Sequence, residues 1–113
     1  MNSMEWSESV PVAVTVCDAD GVIVYMNEKS AAAFTKYGGK ALVGKNLLDC
    51  HPEPARTRLR ELLAEPKVNA YTIEKNGVRK LIHQAPWYDG GAFAGLVELS
   101  IELPPELPHF VRK

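Results

Sequence analysis

Residues 44–56, GKNLLDCHPEPAR, set Cys50 beside His51 ahead of two prolines. A thiol and an imidazole are the groups from which zinc sites, haem ligation and covalent nucleophiles are built. Each of these needs more than the pair. A zinc site takes about four ligands, and the chain offers Cys17, Cys50, His51, His83 and His109 without the paired spacing that marks such sites. A nucleophile needs a base in reach and a third group to orient it, and side chains adjacent in sequence seldom point at each other. A helix beginning at the prolines would lower the Cys50 pKa and make the thiol reactive or metal-binding. The plainer expectation is a helix start alone. Proline lacks the N–H that a first helical turn leaves unbonded, and Glu53 complements the positive end of the helix dipole. Cys50 and His51 are thus metal candidates only if partners come from elsewhere, and no catalysis is expected.

The remaining chemistry is sparse. There is no Gly-rich phosphate loop and no pair of carboxylates on a recognisable catalytic motif. The chain has 113 residues, a size that ordinarily forms a single core. It is 46% hydrophobic and 24% charged with a formal net charge of −1, so no charge block suggests nucleic acid or a membrane surface. No apolar run is long enough to span a bilayer, and no leader pattern opens the chain. Two isolated cysteines fit a reducing compartment, and the expected location is cytoplasmic.

The elements that would position these residues follow from texture. VPVAVTVC and VIVYMN are β-branched runs separated by Asp-Ala-Asp-Gly, which predicts a hairpin turning on residues 18–21. The alanine-rich EKSAAAF predicts a short helix capped by Asn27. KALVG predicts a further helical turn. PARTRLRELLAE places Leu59, Leu62 and Leu63 on one face of a longer helix that Pro66 ends. Asn76-Gly77 and Asp89-Gly90-Gly91 then separate three strands. Two strands, short helices and three strands predict an α+β fold: a five-stranded antiparallel sheet with helices on one face.

In this order the residues resemble the PAS domain. DADGVIVYMNEKSAAAF is similar to that family's first hairpin and helix, LVGKNLLDCHPEPARTRLRELL to its glycine, loop and long helix, and NGVRKLIHQAPWYDGGAFAGLVELSIEL to its closing strands. The resemblance implies residues 1–9 as an N-terminal extension, 10–103 as the domain and 104–113 as a proline-containing tail; with its opening methionine and its tail ELPPELPHFVRK, the chain resembles small free-standing members. It implies a sensory or signalling domain that binds a small molecule or a partner and transmits a conformational change, without catalysis of its own. Flavin photoreceptors of the family carry a cysteine where this chain has Leu47, so that photochemistry is not expected. Haem sensors of the family use a histidine inside the long helix, and ARTRLRELLAE has none; a haem or metal redox sensor using His51 or Cys50 is the alternative.

Transferring the family's strand phase puts Thr15, Cys17, Ile23, Tyr25, Ile82, Gln84, Val97 and Leu99 on the helix-facing side, with Phe34, Leu42, Leu47 and Leu59 closing an apolar cavity above them. Thr15, Tyr25 and Gln84 are the polar members, needing either internal partners or a ligand. The opposite phase carries Val14, Val16, Val24, Met26, Leu81, His83, Ala85, Trp87 and Leu96, too apolar for open water. A homodimer through that face is expected, with Trp6, Val14, Val16, Leu81, His83 and Trp87 as interface candidates and His83 as a group that could change charge near neutrality.

Overall fold

The computed structural model describes residues 5–113. Residues 1–4 of the expected extension lie outside them. The elements run α1 (Glu5–Ser9), β1 (Ala13–Asp18), β2 (Ile23–Met26), α2 (Glu28–Ala33), three 3-10 turns (Thr35–Tyr37, Gly39–Leu42, Leu47–Cys50), α3 (Ala55–Ala64), β3 (Asn69–Lys75), β4 (Val78–Asp89) and β5 (Ala92–Leu103). The strands form one sheet in the order β2-β1-β5-β4-β3, antiparallel throughout. The expected α+β architecture is the observed one.

Local chemistry explains the turns. Asp18 Oδ1 accepts from the backbone N–H of Asp20 at 2.9 Å and of Val22 at 3.0 Å, folding the chain back between β1 and β2. Between β3 and β4, Asn76 (φ 54°) and Gly77 (φ 79°) are both left-handed. A two-residue hairpin turn demands that geometry, and asparagine followed by glycine adopts it at least cost. Leu42, Leu47, Leu59 and Leu62 descend from the 3-10 turns and α3 onto Cys17, Ile23, Met26 and Leu96 of the sheet, forming the apolar core.

The phase of two strands differs from expectation. Residues paired across a sheet share a face. Thr15 pairs with Met26, Val16 with Tyr25 and Cys17 with Ile23, with a bulge between Val16 and Cys17. One extra residue in β2 therefore reverses its alternation. Met26 goes inward, 1% exposed, while Tyr25 moves to the face of Val16. In β5, Leu96 pairs with the buried Cys17 and Glu98 with the buried Thr15 and Gln84. Val97 and Leu99 pair with Val16, Val14, Ala85 and His83 on the opposite face. The placements of Tyr25, Val97 and Leu99 toward the helices, and of Met26 and Leu96 away from them, are thus corrected. Alternation gives the period of a strand, whereas the face is decided by where the helices lie.

Gly95 makes the crossing of β5 over β1 possible. A Cβ built there, at φ +150°, would fall 1.9 Å from the Cys17 carbonyl oxygen. Trp87, the cross-strand partner of Gly95, donates its indole N–H to that same carbonyl at 3.1 Å.

Candidate functional site

The Cys50-His51 pair closes the last 3-10 turn. Asn46 starts that turn by accepting from Leu48 N–H at 2.9 Å, and its amide donates to the Asp20 carbonyl at 3.1 Å. Cys50 Sγ donates to the Asn46 carbonyl at 3.6 Å. His51 Nδ1 lies 2.8 Å from the Leu47 carbonyl. A carbonyl only accepts, so Nδ1 carries the proton and Nε2 is the other ring nitrogen's available face. The thiol and the imidazole are committed to different backbone carbonyls and do not form a nucleophile–base pair. Burial first, and the Asp49 charge second, push the Cys50 pKa up. The alternative of a thiol pKa lowered by a helix start is not met, because Cys50 sits at the end of a 3-10 turn, five residues ahead of Ala55 where α3 begins. That helix is started instead by Glu53, whose carboxylate accepts from the Thr57 N–H at 2.8 Å and from its hydroxyl at 2.7 Å. No group of three or more histidine, cysteine or acidic residues among the described residues is arranged to hold a metal ion.

A broad concavity lies between α3 and the inner face of β3 and β4. It is a cleft of about 700 Å³ lined by His51, Glu53, Pro54, Ala55, Thr57, Arg58, Leu59, Glu61, Asn69, Tyr71 and Gln84. Two small interior cavities lie behind it. One is lined by Thr15, Cys17, Leu47, Leu59, Gln84, Leu96 and Glu98, the other by Thr15, Ile23, Met26, Phe34, Leu42, Leu47, Cys50, His51 and Glu98. Leu59, Gln84 and His51 are shared with the cleft, so the three spaces are separated by single side chains.

Of the residues singled out from sequence, Leu59 and Gln84 line the cleft, while Thr15, Cys17, Ile23, Phe34, Leu42 and Leu47 line the inner cavities. Ile82 is buried but lines none of the three. Tyr25 stands apart, its hydroxyl donating to Glu8 at 3.0 Å and 3.2 Å from the Ser7 hydroxyl. Thr15 is bonded to the Ser30 hydroxyl.

Glu98 was not singled out, and it joins the polar groups of the site. Asn69 Nδ2 donates to Gln84 Oε1 at 2.8 Å, and Gln84 Nε2 donates to Glu98 Oε1 at 3.4 Å. Glu98 is partly buried: burial pushes its pKa up, while the neighbouring His51 and the Gln84 hydrogen bond pull in the opposite sense. Its charge in turn adds to burial in raising the Tyr71 pKa. In GLVELSIEL the polar residues read as the solvent side, so only the strand's position between β1 and β4 reveals Glu98 as interior.

The outer face of the sheet carries Val14 and Val16 of β1, Val97, Leu99 and Ile101 of β5, and Leu81, His83, Ala85 and Trp87 of β4. Val97, Leu99 and Ile101 stand there in place of Met26 and Leu96, so the face remains apolar, as the sequence implied. Trp6 is 69% exposed on α1. No described helix is long and apolar enough to cross a membrane.

Comparison with known proteins agrees with this architecture. A family model described as the PAS fold matches residues 7–103. The PAS domain of BvgS from Bordetella pertussis superposes with a TM-score of 0.63 at 21% identity, over 86% of this chain and 80% of that one. The Aer2 receptor from Vibrio cholerae, described as a dual PAS-heme oxygen sensor, gives 0.64 at 19% identity over 82% and 95%. A C-terminal domain from Streptococcus mutans gives 0.68 at 22% identity over 87% and 80%. At such identities the likeness establishes the fold. No curated protein matches the chain.

Proposed function

The chain belongs to the PAS family, and from that premise we propose that it is a sensory or signalling domain whose input is a small molecule held between α3 and the sheet. The observation that carries this reading is the cleft: about 700 Å³, within the ~300–1,000 Å³ range of small-molecule sites. Its walls combine apolar surface from Leu59 and Ala55 with a polar row, Asn69 to Gln84 to Glu98, that runs from the mouth to the interior. A ligand favouring one spacing of α3 over the sheet would shift the population of sheet and helix arrangements, and so change the surface offered to a partner.

Two further parts belong to the proposal. The outer face is an interface for a second copy, because nine apolar or aromatic-containing positions on three strands form a contiguous surface of the kind that water leaves uncovered only at a cost. The domain acts without catalysis of its own, a reading supported by the divergent bonding of Cys50 and His51 and by the raised thiol pKa. Native mass spectrometry of the protein purified from its own host tests these points together. A retained small molecule on a dimer supports the reading. A monomer that carries nothing, and to which no metabolite extract adds mass, refutes it.

A second reading places haem in the cleft. His51 lines it, and with Nδ1 bonded to the Leu47 carbonyl the imidazole is oriented as metal-bound histidines usually are, through a backbone acceptor on the other nitrogen. Titration with haemin decides: a Soret band that His51→Ala abolishes supports haem, and a spectrum of free haemin discards it.

A further inference from the structure

The chemistry of the site narrows what it would hold. Glu98 stands on the inner face between Thr15 and Gln84, both buried, and lines both inner cavities, each of about 10 Å³. Leu59 and Gln84 are shared between the first of them and the cleft, so a ligand reaches Glu98 by displacing those side chains. One oxygen receives a single long hydrogen bond, at 3.4 Å from Gln84. No lysine or arginine is paired with it: among the described residues the ion pairs are Lys29 with Glu102 and Lys40 with Glu8. Thr15, the other polar neighbour on the sheet, is already bonded to Ser30. A partly buried carboxyl with so little hydrogen bonding keeps acceptor sites for a partner.

The approach to it carries charges of both signs. Glu53, Arg58 and Glu61 line the cleft wall, Arg56 and Arg60 act on Glu53 from the same helix, and Glu98 lies behind the cleft, its carboxylate unmatched by any of these guanidiniums. Tyr71, partly exposed, lines the mouth, and an aromatic ring attracts cations. His51 stands near Glu98, with its Nδ1 bonded to the Leu47 carbonyl.

Resting on the reading of the cleft as a small-molecule site, we propose that its ligand is a small organic cation, with an ammonium or amidinium group seated against Glu98 and an apolar body between Leu59 of α3 and Tyr71 of β3. The cation supplies several donors to a carboxylate that receives only one, and a charge-assisted bond of this kind out of water is stronger than a neutral one. Gln84 orients the carboxyl, and Asn69 holds Gln84.

Three probes of one shape separate charge from fit: benzylamine, benzyl alcohol and benzoate, titrated into the full chain and followed by amide chemical shifts. Benzylamine is expected to shift Asn69, Tyr71, Gln84 and Glu98, binding about tenfold or more tighter than benzyl alcohol, the factor that one charge-assisted bond of ~1.4 kcal/mol provides. Glu98→Gln should erase that preference while keeping the alcohol's affinity and the spectrum elsewhere. Benzyl alcohol or benzoate binding as tightly as benzylamine, or a preference that survives Glu98→Gln, overturns the cation proposal and leaves the cleft reading standing. No cleft shift with any probe at millimolar concentration overturns both.

Discussion

Asn27 ties together the elements that surround the site, and its removal has a cost that can be worked out. It is fully buried, with 0% exposure. Its Oδ1 accepts from Ser30 N–H at 2.9 Å, capping α2, and from Val14 N–H at 3.0 Å in β1. Its amide nitrogen donates to the carbonyls of Ser7 in α1 at 2.9 Å and of Val12 at 2.7 Å. Asn27→Ala removes the cap, worth about 1 kcal/mol. It also strips a side-chain partner from three further backbone groups, each costing about 1 kcal/mol, the low end because the Val12 and Val14 bonds are only partly buried and water can replace them. The expected loss is about 4 kcal/mol, a large share of the ~5–15 kcal/mol that holds a domain folded. In urea, with a slope of ~1–3 kcal/mol/M, the midpoint should fall by roughly 2 M. Asn27→Asp discriminates the halves of the network. It keeps both acceptor bonds but turns a second oxygen toward two carbonyls, so it should be destabilised at neutral pH and recover as acid protonates it. A loss below about 1 kcal/mol for Asn27→Ala, or an Asp variant indifferent to pH, would refute this account.

The remaining expectations concern the site and the sheet. Because burial raises the folded-state pKa of Glu98, the carboxyl's contribution is intact below its unfolded value of about 4.3 and is lost as pH rises through the folded value. Glu98→Gln should therefore stabilise the ligand-free protein at pH 7 and have little effect at pH 4; urea melts at both values showing a constant difference would contradict this. Cys50, its pKa raised by burial and by Asp49, should react with iodoacetamide at neutral pH more slowly than free cysteine. A faster rate would reopen the nucleophile reading. Gly95→Ala should cost at least about 3 kcal/mol, since a Cβ at 1.9 Å from the Cys17 oxygen forces β5 away from β1; near-wild-type thermal stability would show the crossing to be looser than described. Leu99→Asp on the outer face should leave the fold intact and lower the sedimentation-derived mass from dimer to monomer, and an unchanged mass would remove that face as the interface.

What the residues alone determined is local. Asp18 and Asn76-Gly77 dictate turns because their side chains or their freedom at positive φ satisfy the turn by themselves. Asn27 declares a cap, and Glu53 with its prolines a helix start, through bonds made within four residues. These signals, in their order, were enough for the α+β sheet and its helical layer. What tertiary structure decided is which way things face. A single bulge between β1 and β2 sends Met26 inward and Tyr25 out, and no residue type announces it. GLVELSIEL alternates, yet the sheet turns Leu96 and Glu98 toward the helices and Val97 and Leu99 toward the outer face, placing Glu98 beside Gln84 and Val97 beside Ala85. The period of a strand is a property of its backbone, but its phase is set by neighbours distant in sequence, and the site's acid lies on the side that only those neighbours define.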